Sequence, residues 1–185
     1  MRIIGGAWRG RSLSAPSGTA TRPTSDRVRQ ALFDMLWHAP WGGREAVEGA
    51  IVLDAFAGTG ALGLEALSRG AATATFLERD RAALTALRAN IAACGAGDRT
   101  RALNADALRP LPGVPSTLVF LDPPYNEGIV PRAVAALAGA GWLAPGALLV
   151  AEVGRDEPSP FAHALVARAR GAARIEAARH GPSIA

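Results

Sequence analysis

The chain contains no lysine: all 20 of its basic residues are arginine. Its one cysteine, Cys94, rules out a disulfide within the chain, and no Cys/His cluster has zinc-binding spacing. Cys94 reads as an inert small residue at a helix end. His38, His163 and His180 are scattered and show neither metal-ligand nor catalytic-triad spacing, so no metal is expected. The apolar start at Met1 is interrupted by Trp8-Arg9 and is too short for a secretory signal. The one long uncharged segment, 133–151, is broken by Gly139, Gly141, Pro145 and Gly146. It reads as a core helix from Pro131 to about Leu137 and a core strand from Ala147 to Glu152, not as a membrane span. A cytoplasmic protein is expected. At 185 residues, 49% hydrophobic and 19% charged, the chain suffices for one domain with a full core.

Against that plain background, Asp122-Pro123-Pro124-Tyr125 stands out. It follows Thr117-Leu118-Val119-Phe120-Leu121, a short apolar run that reads as a buried strand. Neither proline donates a backbone hydrogen bond, and Pro123 restricts Asp122. A carboxylate and two carbonyls are thus presented at a strand's carboxyl end, beside the flat face of Tyr125. Rigid acceptors next to an aromatic plate suit a planar ring bearing an exocyclic NH2. A Pro-Pro turn with a solvated aspartate is the plain alternative.

A second motif lies upstream. Ile51-Val52-Leu53-Asp54 reads as a strand, Ala55 to Gly60 as a glycine turn, and Ala61 to Ser68 as a helix. Gly58, Gly60 and Gly63 have the G-x-G-x-x-G spacing of nucleotide-binding turns. Asp54 at the strand end would repel a pyrophosphate, whereas S-adenosylmethionine offers a sulfonium and an ammonium. The charge argument therefore favours S-adenosylmethionine over a nicotinamide dinucleotide. The next strand, Thr73 to Leu77, ends in Glu78, about 20 residues past the turn, where a ribose-binding carboxylate is expected. A helix from Arg81 to about Ala93 follows, with Leu84, Leu87 and Ile91 on one side. A third strand, Thr100 to Leu103, is followed by Asp106, a candidate acceptor for an adenine amino group. Each acid taken singly could be a helix cap or a solvated loop charge. Four acids at four successive strand ends point instead to a ligand edge of an α/β sheet.

Asp54-Ala55-Phe56-Ala57-Gly58-Thr59-Gly60, Glu78, Asp106 and Asp122-Pro123-Pro124-Tyr125, in that order, resemble the Rossmann-like S-adenosylmethionine-dependent methyltransferases that act on amino nitrogen. Arg2-Ile3-Ile4-Gly5-Gly6, Arg9-Gly10-Arg11 and Arg22-Pro23-Thr24-Ser25-Asp26-Arg27-Val28-Arg29 narrow the match. They resemble the RsmD family of bacterial small-subunit rRNA guanine-N2 methyltransferases, from residue 2 to about 152 and again at Arg179-His180-Gly181. The resemblance implies a seven-stranded, mostly parallel sheet with helices on both faces, the last strand antiparallel. It implies methylation of one guanine N2 in 16S rRNA, with a protein-bound small-subunit assembly particle as substrate and a monomeric enzyme. It implies Asp54, Phe56, Gly58, Gly60, Glu78 and Asp106 as cofactor residues and Asp122, Pro123, Pro124 and Tyr125 as catalytic ones. A DNA or other RNA amino-methyltransferase would share the Asp-Pro-Pro-Tyr site, but 185 residues leave no room for a DNA target-recognition region. A non-catalytic RNA-binding module would not need both motifs intact.

Residues 1–30 hold Arg2, Arg9, Arg11, Arg22, Arg27 and Arg29 against the single acid Asp26, while the remaining 14 arginines face 15 acids. The basic surplus is therefore amino-terminal, a candidate phosphate-binding arm with Arg2, Arg9, Arg11, Arg22 and Arg27 as RNA contacts. Removing residues 1–20 is expected to weaken RNA binding and leave cofactor affinity nearly intact. Trp8 could stack on a base or pack on the core. Arg2-Ile3-Ile4 returning through Arg11-Ser12-Leu13 suggests a β-hairpin. Thr24 or Ser25 would cap a helix running to about Trp37, its apolar stripe Val28, Leu32, Met35 and Leu36, with Arg27 and Arg29 facing elsewhere. The single domain, 1–185, thus divides into a basic hairpin-and-helix extension, 1–37, and a catalytic core, 50–185. Near the carboxyl end, 174–179 reads as a sixth strand, 180–182 as a turn and 183–185 as the start of a seventh, leaving the sheet edge short.

Overall fold

A computed structural model describes residues 1–16, 25–125 and 127–181. Its centre is a seven-stranded sheet: β1 (Ile51–Asp54), β2 (Thr73–Glu78), β3 (Thr100–Asn104), β4 (Ser116–Leu121), β5 (Leu143–Gly154), β6 (Val166–Arg170) and β7 (Ala173–Arg179), ordered β3-β2-β1-β4-β5-β7-β6. Strands β1 to β5 are parallel, and β7 runs antiparallel to both β5 and β6. The helices are α1 (Asp26–His38), α2 (Ala61–Ser68), α3 (Arg81–Cys94) and α4 (Ile129–Gly139).

Strand alternation divides the core in two. Val52, Phe76, Leu118, Phe120, Leu148 and Val150 face a cluster with Leu32 and Phe33 of α1, Leu64 of α2 and Leu87 of α3. Leu53, Leu77, Val119, Leu121 and Leu149 face Ile129, Val130, Ala133 and Leu137 of α4. Helices therefore cover both faces. None of the helices is long and apolar enough to cross a membrane, among the described residues.

Most local boundaries follow the sequence within two residues. Ser25 caps α1 through Val28 N–H at 3.3 Å, and α2 spans the expected Ala61–Ser68. Helix α4 begins two residues before Pro131, since proline is tolerated in a first turn that has no N–H acceptors to lose. Cys94 is buried at the last position of α3, and burial raises its thiol pKa.

Two expectations are corrected. Arg29 does not face outward: it is fully buried, its guanidinium donating to the Asp26 carboxylate at 2.8 Å and to the Arg2 carbonyl at 2.5 Å. Burial lowers its pKa, opposed by Asp26 and Glu65. The expected hairpin is present in short form: Arg2 bridges Ser12 antiparallel, Ile3 N–H donates to the Arg11 carbonyl and Leu13 N–H to the Met1 carbonyl, both at 2.9 Å, and a 3-10 turn over Gly6–Trp8 closes it. The register at the carboxyl end is also different. Residues 173–179 form the seventh strand, and 166–170 form the sixth, joined to it by a two-residue turn with Gly171 at φ 63°. The alternating Val166-Ala167-Arg168-Ala169-Arg170 offers alanine and arginine in place of β-branched residues, which hides the strand. His180 is not a turn residue: its N–H donates to the Ala147 carbonyl at 2.8 Å and its own carbonyl accepts from Gly146 at 3.0 Å, so the ladder to β5 continues. The expected start of a strand at 183–185 lies outside the described residues.

Candidate active site

The parallel strands deliver their carboxyl ends to one edge. Asp54, Glu78, Asp122 and Glu152 have the same parity as Val52, Phe76, Phe120 and Val150, so all four carboxylates belong to the face covered by α1, α2 and α3. Asp54 is register-paired with Phe76 and Phe120, and Leu121 with Ala151, which sets Asp122 beside Glu152.

Asp54 organises the turn after β1. It is 1% exposed and accepts the Gly63 N–H at 3.0 Å, at the start of α2. Burial pushes its pKa up to about 7; the Gly63 N–H opposes the rise and the Glu78 charge adds to it. The turn is pinned to the sheet where Ala57 N–H donates to the Leu77 carbonyl at 3.1 Å, and Gly60 N–H closes it on the Ala57 carbonyl at 2.7 Å. Two glycines serve different ends. Both have left-handed backbone, Gly58 at φ 53° and Gly60 at φ 81°. A side chain on Gly60 would strike Leu87 of α3 at 2.3 Å, while beside Gly58 there is open space for 4 Å. Gly60 thus seats the turn against α3, and the backbone at Gly58 is open to close approach. Phe56, half-buried, packs against the α4-side cluster.

Glu78 clasps the same turn. One carboxylate oxygen accepts Gly58 N–H at 2.7 Å and the other accepts Asp80 N–H at 2.7 Å. Each oxygen keeps further acceptor capacity. Asp106, half-buried beyond β3, accepts Leu108 N–H at 2.9 Å. Asp54, Phe56, Gly58, Gly60, Glu78 and Asp106 are therefore gathered along one edge, at the ends of β1, β2 and β3.

At the end of β4, Asp122 is half-buried, Pro123 buried, Pro124 exposed and Tyr125 half-buried. The Tyr125 hydroxyl donates to the carboxylate of Glu152, which is 5% exposed. Glu152 was not among the expected site residues. Its one signal in the sequence is position: it is the first charge after the uncharged stretch 133–151 and lies at the carboxyl end of a strand.

The arginines expected to touch RNA have different surroundings. Arg2 is exposed and 3.5 Å from Asp26, and Arg27 is exposed in the first turn of α1. Arg9 is exposed beyond the 3-10 turn. Arg11 donates to the Ala93 carbonyl at the end of α3, towards the opposite edge of the sheet. Arg22 lies outside the described residues. Trp8 packs partly buried on the core, with the Arg99 guanidinium 5.2 Å from its ring centre.

Residues 1–175 match a family model described as Conserved hypothetical protein 95. The chain is 47% identical to ribosomal RNA small subunit methyltransferase D of Escherichia coli strain K12, over 82% of this chain and 74% of that protein. It is 36% identical to the protein of the same name in Haemophilus influenzae, over 85% and 81%. Among solved structures, yhhF of Escherichia coli superposes with a TM-score of 0.81 at 39% identity, covering 97% of each chain. An RNA methyltransferase from Salinibacter ruber, solved with S-adenosyl-L-homocysteine, shares the fold at 17% identity and a TM-score of 0.65, over 85% of this chain and 93% of that one.

Proposed function

The chain belongs to the RsmD family of ribosomal RNA small subunit methyltransferases, and on that premise we propose that it methylates the exocyclic N2 of one guanine in 16S rRNA, using S-adenosylmethionine. The observation that carries this reading is the row of carboxylates at the ends of β1, β2, β4 and β5, beside a rigid Asp-Pro-Pro-Tyr corner.

The residues of the β1 turn fit such a cofactor. Segment 55–60 carries no basic side chain to neutralise a phosphate, two acids flank it, and the Gly58 backbone is open to close approach. Glu78 would hold the ribose hydroxyls, Asp106 the adenine amino group and Phe56 the adenine face, with Asp54 supplying negative charge nearby. When bound, the cofactor supplies an electrophilic methyl group. The protein's own task lies on the other side of the cleft. A guanine N2 lone pair is delocalised into the ring and is a weak nucleophile. Acceptance of its two N–H bonds by the Asp122 carboxylate and the Pro123 carbonyl draws density onto nitrogen and orients the lone pair. Tyr125 stacks on the base, its ring angle set by the hydroxyl bond to Glu152. The proton released from nitrogen passes to Asp122 or water. Catalysis of this kind is positioning and electrostatics, and it requires an unpaired or flipped base.

The substrate in this reading is a protein-bound small-subunit particle in the cytoplasm, met by a monomeric enzyme whose arginines, Arg2, Arg9 and Arg27 among them, contact phosphates. The test is to incubate the protein with labelled S-adenosylmethionine and, in turn, small-subunit particles, naked 16S rRNA and duplex DNA. Nucleoside mapping should return N2-methylguanosine at one site in 16S rRNA, with particles preferred over naked RNA. Label in methyladenine, or in DNA, would overturn it.

A further inference from the structure

The amino-terminal arm is built into the fold through one residue that also holds the β1 turn. Asn90 of α3 is 2% exposed. Its side-chain oxygen accepts Ser14 N–H at 2.8 Å, and its amide nitrogen donates to the Ser14 carbonyl at 2.9 Å and to the Thr59 carbonyl at 3.0 Å. Ser14 closes the arm, while Thr59 lies between the two glycines of the turn. A single amide therefore reads both segments, and a shift in either costs it a buried hydrogen bond.

Other contacts make arm and turn move together. The Thr59 hydroxyl lies 3.9 Å from the Met1 sulfur. Glu65 of α2, fully buried, accepts Ile4 N–H and Gly5 N–H, both at 2.8 Å. Helix α2 begins where Asp54 accepts Gly63 N–H. Ile3 and Leu13 are buried in the same cluster as Leu64 and Leu87. Gly60 rests against Leu87, one turn before Asn90. The arm contacts the turn directly through Met1 and, by way of Asn90, through Ser14.

We propose that Asn90 is a positioning residue that couples the amino-terminal arm to the cofactor turn, so that ligand bound at either one tightens the other. The inference rests on the reading of the β1 turn as the S-adenosylmethionine site. Coupling of this kind is reciprocal: an arm held by RNA orders the turn, and an occupied turn orders the arm. A merely structural amide would stabilise the fold without transmitting occupancy.

Amide hydrogen exchange separates the two. In the wild-type protein, saturating S-adenosylhomocysteine should slow exchange at the Gly58 and Gly60 amides. It should also slow exchange at the Ile3, Leu13 and Ser14 amides, by about 5-fold or more. Asn90→Asp keeps the acceptor for Ser14 N–H but loses both donors. Asn90→Asp should bind S-adenosylhomocysteine more weakly and retain protection at the turn, with no response in the arm. Thermal unfolding establishes that the variant is folded. If it does not fold, Asn90→Ser, which loses the bond to Thr59 without burying a charge, is compared in its place. Protection at the turn without any arm response in wild type overturns this inference alone. An arm response that persists in Asn90→Asp also overturns it. No protection anywhere, with no binding heat, removes the cofactor reading and this inference together.

Discussion

The carboxyl edge of the sheet and the amino-terminal arm are built by opposite means. At the edge, each acidic group sits at or just past the end of its own strand, so its place follows from its position in the sequence, as it does for Asp122 before Pro123 and Glu78 at the end of β2. In the arm, the decisive partners are remote: Ile4 and Gly5 meet Glu65, and Ser14 meets Asn90. The edge is negative, with Glu78, Asp106 and Asp122 half-buried around the buried Asp54 and Glu152, whereas several of the arm's polar groups are consumed internally. Local placement makes a site that tolerates change elsewhere. Remote placement makes the arm a participant in the stability and geometry of the whole.

The largest test of that contrast is Glu65→Ala. It strands the Ile4 and Gly5 amides and leaves Arg69, which is 11% exposed and 2.7 Å from Glu65, without its carboxylate. Removing one partner of a buried pair costs roughly 3–5 kcal/mol, so urea unfolding should show a loss of that size. A loss below about 1 kcal/mol would mean the arm is only loosely attached.

Asp122→Ala should act on chemistry and nothing else. The turn after β1, Glu78 and Asp106 keep their own partners, so cofactor affinity should stay within a few-fold. Single-turnover methyl transfer to small-subunit particles should fall at least about 100-fold, the usual cost of one lost preorganised contact. A near-normal rate would show that the amine is held by another group.

Much of the edge was legible because its signals are local. The strand ends, the glycine spacing and the Pro-Pro corner each occupy a few consecutive residues, and parallel pairing then brings them together. The arm was legible as charge and as a turn, but not as core. Nothing in Arg29 or Asn90 announces burial, because both are polar residues whose partners come from distant segments. Glu152 escaped for a related reason: a strand-end acid gains meaning only when register sets it beside Asp122 and Tyr125 reaches it. Strand β6 was missed because alanine and arginine carry little β signal, and its place is set by pairing with β7.

The titration of Asp54 gives a test of about tenfold. Its carboxyl loses a proton near pH 7 in the folded protein, against 3.8 for an ordinary aspartate. Between those values folding takes up a proton, so this group's contribution to stability falls as pH rises and levels off above 7. The positive charges of S-adenosylmethionine favour the carboxylate, so binding releases the proton. Affinity should rise about tenfold from pH 6 to pH 8 and then flatten, as one linked proton requires. S-adenosylhomocysteine lacks the sulfonium and should show a shallower rise. Asp54→Asn should flatten both curves in calorimetry; an unchanged slope would assign the proton to another group.

Tyr125→Phe should cost more than an intact aromatic face suggests. The ring remains for stacking, but the hydroxyl bond to Glu152 is lost. One hydrogen bond to a charged group contributes about 1.5–3 kcal/mol, of which a half-buried ring should express the lower part. The RNA KM should rise about tenfold with the cofactor KM unchanged, and Glu152→Gln should reproduce part of the change. Equal effects on both KM values would place the defect in the fold and not in the base platform.

The smallest effect separates two neighbouring arginines of the arm. Both are exposed, but the Arg11 guanidinium donates to the Ala93 carbonyl, where the end of α3 leaves carbonyl groups without helical partners. If charge alone decided RNA contact, replacing either by alanine would lower the slope of log affinity against log salt by about 1. The bond to α3 gives Arg11 another task. Arg9→Ala should therefore reduce the slope by about 1 without moving the unfolding midpoint. Arg11→Ala should lower stability by about 0.5–1.5 kcal/mol and leave most of the slope in place. A fall in slope for Arg11→Ala equal to that for Arg9→Ala would show that RNA draws Arg11 away from α3, and the arm would then be a far looser structure than its contacts with α2 and α3 describe.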